Sequence, residues 1–220
     1  MTVRRTPGRP RTTVLDRERI VTAALALIDE VGDSFSVNAL AARLVVRPSS
    51  LYNHFANKDE ILFGVQEVIT DAIDASMFER LPWADAVAAW AHSYRAAFVR
   101  HPHAIPLFAV SPVAGQVRTV AMYERVVQGF ERAGWPSERI LPAIVALESF
   151  ILGSALDAIA APDLLAPGDA GKQVPHLAAA VAAHEHAVAD SGLRAADLAF
   201  TVGLSAMIRG LADHSPHASD

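Results

Sequence analysis

The 220-residue chain has no cysteine. Disulfides, thiolate nucleophiles and zinc–thiolate centres are thereby excluded. Lysine is nearly missing as well: Lys58 and Lys172 are the only two among nineteen basic residues, and the rest are arginine. No uninterrupted apolar run approaches the roughly 20 residues that a bilayer-spanning helix needs, so no membrane association is expected. The opening MTVRRTPGRPRTT is basic, but no apolar segment follows it, and it does not read as a secretory signal. A cytoplasmic location fits these absences. There is no glycine-rich phosphate loop, no nucleophile–base pairing, no internal repeat and no convincing strand pattern. His101 and His103 flank Pro102, a poor helical spacing for a shared ion. No metal, no cofactor and no enzymatic activity are expected.

What is present is apolar content and a lopsided charge. Hydrophobic residues make up 52%, enough for a sizeable core. The net charge of −5 is unevenly distributed. Residues 1–60 hold nine basic and seven acidic side chains, whereas the remaining 160 residues hold ten and seventeen. The first eleven residues carry four arginines and no acid. Such asymmetry says more about partners than the total does. Residues 1–13 read as a flexible basic arm. Arg4, Arg5, Arg9 or Arg11 could add salt-dependent affinity for a polyanion or reach a minor groove, and a solubilising tail is the plainer reading.

Helical periodicity runs through the rest. Ile20, Ala24, Leu27, Ile28 and Val31 mark one face of a first helix, and Gly32 stops it. Ser36 is placed to cap a short second helix carrying Leu40, Ala41 and Leu44. Pro48 suits the first turn of a third helix, on which Leu51 and Phe55 form an apolar stripe. Asn57 and Glu60 have capping-box spacing ahead of Ile61, Val65, Val68 and Ile69. Longer helices are predicted over about 82–101, 115–133, 137–161 (capped by Ser137, with Pro142 in its first turns), 176–190 and 194–214. Short turns fill 101–112, and 162–175 is a loop. The domain organisation expected is the arm at 1–13, a DNA-binding unit at 14–60, a helical body at 61–214 and a tail at 215–220.

Two short helices separated by a turn and braced by a longer first helix make a helix-turn-helix, whose second helix enters the major groove of double-stranded DNA. Its outer face offers Arg47, Pro48, Ser49, Ser50, Tyr52, Asn53 and His54 to phosphates and base edges. Lys58 follows at the start of the next helix. The stretch FSVNALAARLVVRPSSLYNHFANKDEIL resembles the DNA-binding region of the TetR family of transcriptional repressors. Leu51-Tyr52-x-His54-Phe55-x-x-Lys58 is its most specific tract. The resemblance is strong over residues 15–65. It continues more weakly to about residue 160, where YERVVQGFERAGWPSERILPAIVALESFILGSAL is similar to the C-terminal domain of the tetracycline-repressor branch.

The resemblance implies an all-α protein with an N-terminal three-helix DNA-binding domain and a larger helical domain for ligand binding and dimerisation. It implies that Ser36 and Val37 contact phosphate or base. Base contacts would concentrate at Arg47 through Ser50, and Tyr52, His54 and Lys58 would touch phosphate. One departure is Val45, where the family's turn usually has glycine. A β-branched side chain tolerates positive φ poorly, so either the turn differs or Val45 is strained.

The aromatic residues of the second half, Trp90, Tyr94, Phe98 and Phe108, together with Met122, could line an apolar pocket for a small-molecule inducer, or could be ordinary core. His101, His103, Arg95 and Glu148 are its candidate polar contacts. Phe108 aligns with the family's magnesium-ligating histidine, and Trp90 with a drug-contacting amide. A magnesium–tetracycline ligand is therefore not expected, and a bulky apolar or aromatic one is. The helices over 137–161 and 194–214 are the candidate homodimer surfaces. The first is apolar on more than one face, and the second sets Ala199, Gly203, Ala206 and Gly210 along one side. A two-fold dimer implies a palindromic operator. The competing classes are a helical enzyme and a non-DNA-binding adaptor of the same fold.

Overall fold

The computed structural model describes residues 15–161 and 164–212, all helices and connections, with no strand among them. The predicted basic arm and polar tail lie outside the described residues. The helices are α1 (Arg17–Val31), α2 (Val37–Leu44), α3 (Pro48–Leu51), α4 (Lys58–Thr70), α5 (Trp83–Val99), α6 (Ile105–Phe108), α7 (Val117–Arg132), α8 (Ser137–Asp157), α9 (Pro175–Ser191) and α10 (Ala195–Ala212). Single 3-10 turns occupy Gly32–Ser34, Ser76–Glu79 and Pro102–Ala104.

Local chemistry explains the starts. Asp16 accepts the Arg19 N–H at 2.8 Å and opens α1. Ser36 accepts the Ala39 N–H at 3.2 Å and opens α2. Asn57 accepts from Glu60 N–H at 2.9 Å, and the Glu60 carboxylate reaches back to the Ala56 N–H at 2.9 Å. The expected capping box thus closes one residue upstream of the cap itself. Ile20, Ala24, Leu27 and Ile28 of α1 meet Leu40, Leu51, Phe55, Ile61 and Val65 in the core of the N-terminal unit. In the body α5 is central, packed by α8, α10 and the turn at 76–79. Arg95 on α5 staples it to its neighbours. It donates to Ser154 of α8 at 2.8 Å and pairs with Asp197 of α10 at 2.7 Å, lying over the Phe200 ring.

Several expectations need correction. The third helix stops at Leu51 instead of reaching Phe55, because the Leu51 carbonyl takes both the His54 and Phe55 N–H groups and the chain tightens to turn Phe55 inward. Ser137 is not a cap: Pro136 holds that position, and Ser137 is the first helical residue. Pro142 lies inside α8 without delaying its start, its ring on the exposed side, and the helix forgoes the bond that an N–H there would give the Glu138 carbonyl. The helix ends at Asp157, four residues before the predicted 161. Finally, α8 and α10 are long and apolar enough to cross a membrane by length and composition, although no uninterrupted run suggests it. In α8 the buried Ile140, Ile144, Leu147 and Ile151 face the core of the body, while Leu141, Val145 and Leu156 stay exposed.

Val45 closes α2 at φ 57° and ψ 43°, and it is the one non-glycine residue with positive φ among those described. The turn keeps its left-handed geometry and the valine carries the strain, a cost of about 1–2 kcal/mol. Its side chain is 90% exposed and contributes little packing. Val45→Gly therefore raises the stability of the protein by about 1 kcal/mol after the added flexibility of the unfolded chain is subtracted. Urea titration checks this: the midpoint rises and the slope stays the same.

Candidate nucleic-acid interface and effector core

The segment from Arg47 to Asn53 is anchored from beneath by Leu51 and Phe55, both essentially fully buried. Arg47, Pro48, Ser49, Tyr52 and Asn53 are exposed on its outer side, and Ser50 and His54 are partly covered. Tyr52 leaves about half its surface to solvent, so it is not a packing residue. Six of the predicted contact residues, Arg47, Ser49, Ser50, Tyr52, Asn53 and His54, thus share one polar row. Ser36 also faces solvent, although its hydroxyl is engaged as the α2 cap. Val37 is half-buried against the core.

Two cations brace this row. Lys58 donates to the Phe35 carbonyl at 3.1 Å with its ammonium 5.5 Å from the Phe35 ring centre. Arg17, unforeseen from sequence, lies 4.0 Å over the Phe55 ring and donates to the His54 carbonyl. Both are cation–π contacts joined to a hydrogen bond. Lys58 therefore ties α4 to the entrance of α2 whether or not it meets a phosphate. Lys58→Ala lowers the thermal stability of the protein by about 1 kcal/mol, whereas Ser49→Ala and Asn53→Ala leave it within about 0.5 kcal/mol of the parent; circular-dichroism melts check this.

The predicted effector residues separate into two groups. Trp90, Tyr94, Phe98, Phe108 and Met122 are buried. Tyr94 packs edge-on to Trp90 at 5.4 Å and stacks on Phe98 at 5.4 Å. The Trp90 indole N–H has no hydrogen-bond partner among the described residues. Glu148 of α8 accepts from the Tyr123 hydroxyl of α7, and the Tyr94 hydroxyl also faces it. Burial pushes the Glu148 carboxyl above the usual carboxylate range, against the lowering pull of the two phenols. Burial likewise raises Tyr94 and Tyr123, with the Glu148 charge adding to the effect.

His101 and His103 belong elsewhere. The His101 Nδ1 lies 3.0 Å from the Asp29 carboxylate on α1, and the His103 Nδ1 lies 2.6 Å from the Asp29 carbonyl. The structure brings both histidines to the joint between the N-terminal unit and the body instead of to the aromatic core. Arg95 is committed to Ser154 and Asp197. No group of acidic or histidine side chains suited to a metal ion occurs among the described residues.

A folded carboxyl with a raised pKa contributes stability at low pH that is lost as pH rises through the folded value. Glu148→Gln removes that loss. The variant melts higher than the parent at neutral pH, and its advantage shrinks toward acid, where Glu148 is protonated in both folded and unfolded states. Thermal melts across a pH series check this.

A helix-turn-helix with an outward polar row, carried on a helical body with its own buried polar and aromatic core, defines a DNA-binding regulator with a separate effector domain. Residues 20–65 match the bacterial regulatory proteins of the tetR family, and residues 79–214 match the tetracyclin repressor-like C-terminal domain. The chain belongs to the TetR family of transcriptional regulators. It is 31% identical over 142 residues to an HTH-type transcriptional regulator of Saccharopolyspora erythraea, a match covering 64% of this chain and 60% of that protein. It is 29% identical over 210 residues to the class G tetracycline repressor protein of Vibrio anguillarum, covering 90% of this chain and 94% of that one. Among solved structures it is similar to the TetR family protein ActR of Streptomyces coelicolor in complex with actinorhodin. That likeness has a TM-score of 0.70 and 26% identity over 92% of this chain and 99% of that one.

Proposed function

We propose that the protein is a homodimeric repressor that binds a palindromic operator and leaves it when a bulky apolar or aromatic ligand enters the body. The observation that carries this is the polar row from Arg47 to His54, held outward over the buried Leu51 and Phe55. Such a row has no role in a closed core and suits phosphates and base edges. Arg47, Ser49, Ser50 and Asn53 are assigned to base edges, and Tyr52, His54 and Lys58 to phosphate.

The ligand is assigned to the core formed by Trp90, Tyr94, Phe98, Phe108 and Met122, with Glu148 and the two phenols as its polar end. Support comes from ActR, which is solved with actinorhodin bound. The unpartnered Trp90 N–H adds a donor for an acceptor oxygen on such a ligand. Release requires the ligand to prefer the conformation that does not bind DNA. The dimer is assigned to α8 and α10. Leu141, Val145 and Leu156 of α8 and Val202 of α10 are exposed apolar side chains on this single chain, and a second copy would cover them. Gly203 serves packing within the chain, since an added Cβ there would meet Phe150 at 2.6 Å.

Gel-shift titration against the DNA flanking the protein's own gene tests the reading. The parent gives a discrete, salt-sensitive shift on a palindromic fragment. Asn53→Ala and Tyr52→Ala each weaken it by about tenfold with unchanged folding. Absence of a selective shift at low salt from folded, dimeric protein, on these fragments and on a random-sequence pool, would overturn the assignment in favour of an adaptor.

A further inference from the structure

The interior of the body is unevenly supplied with charge. Arg95 is the one buried basic residue among those described, and Asp197 neutralises it at 2.7 Å. Glu148 has no such partner. It lies half-buried on α8, where the Tyr123 hydroxyl of α7 donates to it at 2.5 Å and the Tyr94 hydroxyl of α5 also faces it. No arginine, lysine or histidine pairs with it among the described residues. Burial raises its carboxyl, and the two phenols are all that oppose the shift. A phenol can donate a hydrogen bond to a carboxylate, but it cannot cancel the charge. Aromatic rings lead inward from the same spot, since Tyr94 stacks on Phe98 and meets the edge of Trp90. The wider field has the same sign as Glu148: residues 61–220 carry ten basic and seventeen acidic side chains.

A carboxylate taken partly out of water and left without a countercharge is costly, and the cost falls when a ligand brings the opposite charge. Ring faces attract that same charge, most strongly where water is excluded. An anion would meet repulsion from Glu148 with no free cation to bind, and a neutral ligand would leave the carboxylate uncompensated. We propose that the effector site of this chain takes lipophilic monocations, aromatic molecules bearing a protonated or quaternary centre, with Glu148 as the countercharge and the rings of Tyr94 and Tyr123 beside it. Glu148 and Tyr123 keep part of their surface open, whereas Tyr94, Trp90 and Phe98 are buried. The charged end of the ligand therefore lies nearer the solvent and its apolar end deeper. The proposal rests on the ligand-responsive reading above and narrows its ligand by charge.

Tetraphenylphosphonium and tetraphenylborate share one shape and carry opposite charges, and triphenylphosphine oxide is a neutral relative. Isothermal titration of the full-length protein with each probe tests the charge assignment. The parent binds the phosphonium at least about tenfold more tightly than the neutral oxide, and the borate more weakly than either. Glu148→Gln keeps the shape of the side chain, lowers phosphonium affinity about tenfold and leaves the oxide within about twofold. Glu138→Gln, at the exposed start of α8, changes the net charge equally and leaves phosphonium affinity within about twofold, because a solvated charge is screened. No binding of the phosphonium, borate binding as tight as the phosphonium's, or undiminished phosphonium affinity in Glu148→Gln would overturn the charge assignment. None of these results would touch the release of DNA by a ligand of another charge. Phosphonium binding that depends on Glu148 but leaves the gel shift unchanged would uphold the charge assignment and remove the ligand-responsive reading instead.

Discussion

Gly64 has no Cβ, and for that reason α4 can lie on α1 as closely as it does. A methyl group there would come within 2.7 Å of the Val21 side chain. The rest of the molecule depends on that close approach. The helix α4 begins inside the DNA-binding unit, where Ile61 and Val65 complete the core of α1 to α3. It ends in the body, where Ile69 and Thr70 are buried. One helix therefore runs along a single continuous hydrophobic core, from beneath the reading segment into the body.

The two ends are held by different physics. At the α1 end, burial of aliphatic side chains sets the packing, worth about 25 cal/mol for each square ångström of apolar surface removed from water. At the α7 end, the contacts are amides, hydroxyls and a carboxylate covering a helix terminus. A second polar joint lies where Asp29 of α1 meets His101 and His103 in the turn after α5. The DNA-binding unit is thus fastened to the body at two places, on either side of the short α6.

Much of the N-terminal unit was legible in the chain. The caps Ser36 and Asn57, the stop at Gly32, and the burial of Leu51 and Phe55 beneath exposed Tyr52 and Asn53 all follow from short-range rules of capping and periodicity. Val45 was marked as a conflict between side chain and turn, and the turn prevailed because the tertiary packing of α2 and α3 outweighs the local strain. The short α3 was not legible. Periodicity continues through Phe55, and only the need to turn that ring into the core ends the helix early. The aromatic core was legible as a set, since large apolar residues at helical spacing must be buried somewhere. His101 and His103 were not placed correctly with it, because the partner they meet, Asp29, is 72 and 74 residues away in sequence.

The chain by itself determined which segments are helices, which faces are apolar and which short polar tract faces solvent, because these follow from interactions within a few residues. The tertiary structure alone decided which polar residues are structural. Arg17 at the Phe55 ring, Arg95 as a staple, Glu67 as a cap for a helix some fifty residues away and Gln116 buried against Gln66 have no local signature beyond a polar residue in an apolar pattern. Their partners are distant in sequence. A buried hydrogen bond is defined by both of its ends, and folding alone brings those ends together.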